Sequence, residues 1–255
     1  MRTCRLLAAV FVLWIGFGGC SLIYTARPGP DLSQATLIFS DEFDGTSLDT
    51  SKWNATSYNL WTAENAYNPA MVSVSGGNLI LQLQPIPWMG QAYSGGQVDT
   101  DHKFLPVYGY FEARLKPPRG TGFHASWWLW PDDNVWPPEM DIVEFRGFEP
   151  TSAYVANRWF DPTQPENDAH DQKNCEGPDY TEDFHIFGMD WGPEAIVFYI
   201  DGRECFRSTR NISAKPFRLQ LDLALGGWAG WPPDETTVFP AYFLVDYVRV
   251  YRMHR

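Results

Sequence analysis

Apolar positions in this chain fall mostly into short runs that alternate with polar ones, and Gly, Pro, Asn and Asp separate the runs. Residues 108–116 (YGYFEARLK) set Tyr108, Tyr110, Glu112, Arg114 and Lys116 against Phe111, Ala113 and Leu115. A period of two is that of a strand with one buried face. Residues 71–74 turn at Gly76-Gly77-Asn78 into a second run at 79–83, and residues 195–200 turn at Asp201-Gly202 into 204–206. Asp-Gly is a strong hairpin signal. Runs at 36–39, 217–225 and 242–251 add further strands, and no helical period appears after the first 24 residues. Short strands with turns between them predict an all-β domain, a sandwich or jelly roll.

One run breaks this pattern. Residues 6–19 (LLAAVFVLWIGFGG) are apolar throughout, behind Arg2 and Arg5 and ahead of Cys20. Charge, apolar stretch and small residues, in that order, read as a signal peptide over residues 1–20. A linker at 21–35, containing Arg27-Pro28-Gly29-Pro30, then leads into one domain at 36–253. Gly18-Gly19-Cys20 is similar to a bacterial lipobox, with Phe17 where Leu is usual, so Cys20 is a lipidation candidate. The expected location is therefore extracellular or in the cell envelope, with membrane contact only through such an anchor. The alternative is an uncleaved anchor helix, since residues 6–24 approach the lower limit of a span, about 17 residues.

Composition narrows the function. Of 255 residues, 44% are hydrophobic, which allows a packed core. Lys and Arg number 19 against 31 Asp and Glu, a net charge of −12. A nucleic-acid partner needs a basic footprint, so that class is excluded. The chain holds 12 Trp, far above ordinary use, which suggests aromatic surface kept for a ligand. Beyond the leader only Cys175 and Cys205 remain. In an exported chain they form a disulfide candidate, and two separate thiols are the alternative.

The chemistry concentrates in residues 137–146 (PPEMDIVEFR). Strict alternation would mix charged and apolar residues on both faces. One bulge residue at Ile142–Val143 places Glu139, Asp141, Glu144 and Arg146 on one face and the apolar residues on the other. Bulges re-aim side chains and are common beside active sites. Clustered carboxyls raise one another's pKa, and two of them about 5–5.5 Å apart suit retaining glycoside hydrolysis. Glu139 and Glu144 have the longer arms, with Asp141 between them. A solvated acidic face or a divalent-cation site remains open at this stage. Nearby stand His124, Trp127, Trp128, Trp130 and Trp136, with Trp159, Trp228 and Trp231 further on. Aromatic faces beside carboxylates fit a polysaccharide substrate.

These residues resemble glycoside hydrolase family 16 over nearly the whole mature chain. Glu139, Asp141 and Glu144 meet its E-x-D-x-x-E motif, in the bulged form of laminarinases and agarases. Further stations are 39–45 (FSDEFDG), 77–79 (GNL), 108–114 (YGYFEAR), 199–202 (YIDG), 223–227 (LALGG) and 245–251 (VDYVRVY). The resemblance implies a jelly-roll sandwich of two antiparallel sheets with a concave cleft, acting as a monomer and needing no cofactor for catalysis. It implies Glu139 as nucleophile, Glu144 as acid/base and Asp141 as the assisting carboxylate. Trp127 matches a cleft Trp, Glu112 and Arg114 a cleft-facing strand, and His185 a neighbour of the catalytic strand. His124, Trp136, Arg146, Trp159 and Trp228 complete the expected substrate contacts. Asp246 matches a side chain that holds a structural calcium, completed by backbone oxygens near Glu42 and Gly77. The implied substrate is a β-1,3- or mixed-linkage β-glucan, cut internally. Pro138 stands where many β-1,3-glucanases have Gly, so an agar- or porphyran-type galactan, a transglycosylase or a non-catalytic lectin stay as alternatives.

Overall fold

In the computed structural model, which describes residues 29–59 and 63–254, strands form almost all the regular structure. The expected leader, including Cys20, lies outside the described residues. Seventeen strands are found among them: β1 (Ala35–Asp41), β2 (Asn54–Ala55), β3 (Asn65–Tyr67), β4 (Val72–Ser75), β5 (Asn78–Gln84), β6 (Tyr93–Gly95), β7 (Gln97–Asp99), β8 (Gly109–Lys116), β9 (Phe123–Pro131), β10 (Glu139–Arg146), β11 (Ser152–Phe160), β12 (Asp168–Glu176), β13 (His185–Trp191), β14 (Ile196–Ile200), β15 (Arg203–Ser208), β16 (Phe217–Leu225) and β17 (Ala241–Met253).

Two sheets pack face to face. One has the order β12-β11-β10-β9-β16-β7-β2. The other runs β15-β14-β13-β8-β17-β5-β6-β3, with β1 beside β17 and β4 beside β5. Pairing is antiparallel throughout except between β3 and β6. Neighbours in the sheets are often distant in sequence, as with β9 beside β16, which is the jelly-roll arrangement.

The alternation explains the layers. Phe111, Ala113 and Leu115 of β8 point inward and are fully buried, and Leu219, Leu221 and Leu223 of β16 do the same from the other sheet. Burying each such Phe or Leu side chain stabilises the fold by about 1.5–3 kcal/mol. The β14–β15 hairpin turns where both Asp201 (φ 48°) and Gly202 (φ 71°) have positive φ, the backbone of a type I′ turn. Cys175 of β12 and Cys205 of β15 are joined by a disulfide, which ties the end strand of one sheet to the end strand of the other.

Candidate active site

The acids stand on β10, near the middle of the seven-stranded sheet. Against β9, Asp141 pairs with Trp128 and Val143 with Trp127. Against β11, Asp141 pairs with Ala156 and Glu144 with Tyr154. The register slips at Ile142–Val143, where the parity of the sequence requires a bulge. Met140, Ile142, Val143 and Phe145 are buried in the core. Glu139, Asp141 and Glu144 line a cavity of about 400 Å³ on the opposite face.

Neighbouring strands supply the rest of that cavity. From β9 come His124, Ser126, Trp128 and Trp130, from β11 Arg158, from β16 Asp222, and from the β9–β10 connection Trp136. The Trp136 indole donates to Glu139 Oε2 at 2.9 Å. Arg158 Nε lies 3.3 Å from Asp141 Oδ2 and 3.6 Å from Glu139 Oε1, and Nη1 donates to Asp168 at 2.6 Å. Trp128 Nε1 donates to Asp222 at 2.7 Å, and the Tyr67 hydroxyl donates to its other oxygen at 2.6 Å. Glu144 Oε1 meets His124 Nε2 at 2.8 Å. Arg146 pairs with Glu149 and lies over the Trp228 ring at 4.6 Å, beyond the acids along the same strand face.

Depth separates the three acids. The Asp141 side chain is 2% exposed, against 16% for Glu139 and 15% for Glu144. Burial, then the charges of Glu139 and Glu144, push Asp141 well above the ordinary carboxylate range. Burial also lifts Glu139, to about 7, while its bond from Asp141, the Arg158 charge and the Trp136 indole oppose the rise. Burial and like charge thus oppose full ionisation of both acids at once. Burial raises Asp222 as well, against the pull of His124, Tyr67 and Trp128. A guanidinium already lies between Glu139 and Asp141, so this group of acids is built around a fixed cation and does not present a free oxygen cage to a divalent one.

Several expected residues stand elsewhere. Trp127 is fully buried in the core, because it lies on the opposite parity of β9; the cleft-facing indoles are Trp128 and Trp130. Trp159 likewise alternates away from Arg158 and lies under Arg210, outside the cavity. Glu112 and Arg114 belong to β8 in the other sheet. There Glu112 accepts from the hydroxyls of Tyr110 and Tyr247, and Arg114 pairs with Asp246 at 2.7 Å. His185, on β13 in that same sheet, pairs with Asp201 at 2.8 Å. Asp246, the side chain expected to hold a calcium with backbone oxygens near Glu42 and Gly77, pairs through Oδ2 with Arg114.

Arg158 and Asp222 were not anticipated, although alternation carried a signal for both. In β16 the polar Gln220 and Asp222 interrupt leucines at every second position, and in β11 Tyr154 and Arg158 keep the parity of the cleft face.

The comparisons agree with this geometry. Residues 34–253 match the family model described as Beta-porphyranase A-D, GH16 domain. The Rhizobium meliloti (strain 1021) protein Endo-1,3-1,4-beta-glycanase EglC is 31% identical over 88% of this chain, which spans only 53% of that protein. A Beta-glucanase of Rhodothermus marinus is 30% identical, over 92% of this chain and 91% of that one. The solved catalytic domain of an endo-1,3-beta-glucanase (laminarinase) from Thermotoga petrophila RKU-1 superposes with a TM-score of 0.79 at 27% identity, covering 87% of this chain and 99% of its own. With its sandwich, its bulged acid strand and a family match across the whole described domain, the chain belongs to glycoside hydrolase family 16.

Proposed function

We propose that the protein is an exported endo-acting glycoside hydrolase that cleaves a β-1,3- or mixed-linkage β-glucan with retention of configuration. The observation that carries this is the bulge of β10, which sets Glu139, Asp141 and Glu144 on the floor of an indole-lined cavity. Glu139, oriented by the Trp136 indole and Arg158, attacks the anomeric carbon. Glu144 protonates the departing glycosidic oxygen, then takes a proton from the water that releases the glycosyl–enzyme. Asp141 keeps a proton against Glu139 and lowers its charge in the ground state. The exposed faces of Trp128, Trp130 and Trp136 offer stacking surface to the apolar side of sugar rings.

β-Glucan is favoured by the printed activities of the Rhizobium, Rhodothermus and Thermotoga proteins. A galactan is the second reading, favoured by the porphyranase description of the matching model. Export is supported by the leader of residues 1–20 and by the Cys175–Cys205 disulfide, since such bonds persist in oxidising compartments. Cys20 is the proposed lipid attachment point, and mass spectrometry of the mature N-terminus separates a diacylglyceryl cysteine from plain cleavage. The test of activity is a reducing-end assay on laminarin, mixed-linkage glucan, agarose, porphyran and xyloglucan, with NMR of the first-formed anomer. Release of β-anomeric oligosaccharides from a glucan supports the first reading, and release from porphyran or agarose alone replaces it with the second. An α-anomeric first product contradicts retention.

A further inference from the structure

The acid/base candidate is held through a single imidazole. His124 Nε2 and Glu144 Oε1 meet at 2.8 Å, and both side chains are largely shielded, at 17% and 15% exposure. An imidazole nitrogen offers one lone pair when bare and one N–H when protonated. Two other groups meet that same atom: Ser126 Oγ at 3.1 Å, and the Trp228 indole, whose N–H donates to the unprotonated form at 3.0 Å. The Trp228 ring stands edge-on to the imidazole at 5.6 Å and to Tyr154 at 4.9 Å, which fixes the ring beside the acid. A histidine engaged in this way has no free Nε2 for a sugar hydroxyl.

We propose that His124 is a positioning residue that shares the catalytic proton with Glu144. The inference rests on the acid/base role of Glu144 proposed above. Before cleavage the pair holds one proton. That proton passes from Glu144 to the glycosidic oxygen as the C–O bond breaks and its electron pair stays on that oxygen. When water attacks the glycosyl–enzyme, its proton returns to Glu144 and the pair is restored. No other reactant is needed. The imidazole gives that proton a second seat within hydrogen-bond distance of Glu144.

The surroundings favour this. Burial alone would lower the His124 pKa, but the hydrogen bond and charge of Glu144, then the charge of Asp222, outweigh burial and the opposing Arg146, so the net direction is upward. The groups facing the ring are thus Glu144 and Arg146 from β10 and Asp222 from β16, with Ser126 on its own strand and Trp228, itself packed on Tyr154 of β11, on the turn after β16.

The experiment compares the full chain with its His124→Gln and Glu144→Gln variants. Turnover is measured on a polysaccharide, whose leaving group needs a proton, and on a matching dinitrophenyl glycoside, whose leaving group does not. General acid catalysis is worth about 100-fold or more, so His124→Gln should lose at least about tenfold on the first and less than about threefold on the second. The basic limb of its kcat/KM profile should move to lower pH. Equal losses on both substrates with an unmoved limb overturn the proposal. A readout free of substrate is the 15N titration of the His124 ring. It should fall to lower pH in Glu144→Gln, and identical titrations in the two proteins overturn the proposal whatever is cleaved. A coupled titration in a protein that cuts no glycan supports proton sharing and contradicts the proposed function.

Discussion

At the residue scale, the direction in which each side chain points decides its role. Alternation alone assigns most of the cleft: His124, Ser126, Trp128 and Trp130 share one parity of β9, and Trp127 has the other. The resemblance to known glycosidases overrode that parity for Trp127, and the packing restores it, because a fully buried indole cannot touch a sugar. Truncating Trp127 to Ala should therefore destabilise the fold by about 3–5 kcal/mol, read as a fall in the denaturation midpoint. Trp128→Phe should raise KM and, by removing the indole's bond to buried Asp222, lower the midpoint less than Trp127→Ala does. Arg158 makes a prediction of a different kind. Its charge favours ionised Glu139, so Arg158→Gln should raise the Glu139 pKa further. A nucleophile must be ionised, so the acidic limb of kcat/KM should move to higher pH. An unmoved limb would show that Arg158 does not govern the nucleophile.

At the scale of elements, the acid strand was legible and its partners were only partly so. The bulge follows from residues 139–146 because no unbroken strand can bury Ile142, Val143 and Phe145 while exposing Glu139, Asp141 and Glu144. Deleting Val143 should test this directly. It would turn Glu144 toward the core, abolish turnover, and cost several kcal/mol through a buried, unpaired carboxylate. A deletion variant that kept activity would contradict the bulge. The strand at Gly109–Lys116 shows the limit of such reasoning. Its alternation identifies Glu112 and Arg114 as the polar face, but alternation says nothing about which sheet the strand joins. Sheet membership depends on long-range pairing: β8 sits between β13 and β17 in the sheet opposite the acids. The same gap removed His185 from the site and placed Arg114 against Asp246.

At the scale of the molecule, the fold supplies a rigid frame and the acids use it. Two sheets share one core, and the acid strand lies in the interior of its sheet, where backbone pairing on both sides fixes it. The Cys175–Cys205 bond closes a loop of 30 residues between the end strands of the two sheets. Its removal, as in Cys175→Ser with Cys205→Ser, should cost about 3–4 kcal/mol on a loop-entropy estimate, seen as a lower Tm with kcat almost unchanged. An equal loss of kcat would show that the bond shapes the cleft as well. Fold and reaction class are thus written in local pattern, whereas the identity of the sugar is written in loops and distant pairings that no local pattern reports.

On the proposed mechanism, the carboxylate of Glu139 performs the chemistry at the floor of this cavity. The most direct measurement is reducing-end release from laminarin and mixed-linkage glucan by the wild-type protein beside Glu139→Gln, at matched folding. Release by the wild type is expected, with a loss of at least about 1,000-fold in the variant and retained binding of the glucan. Turnover in Glu139→Gln near the wild-type rate would contradict it.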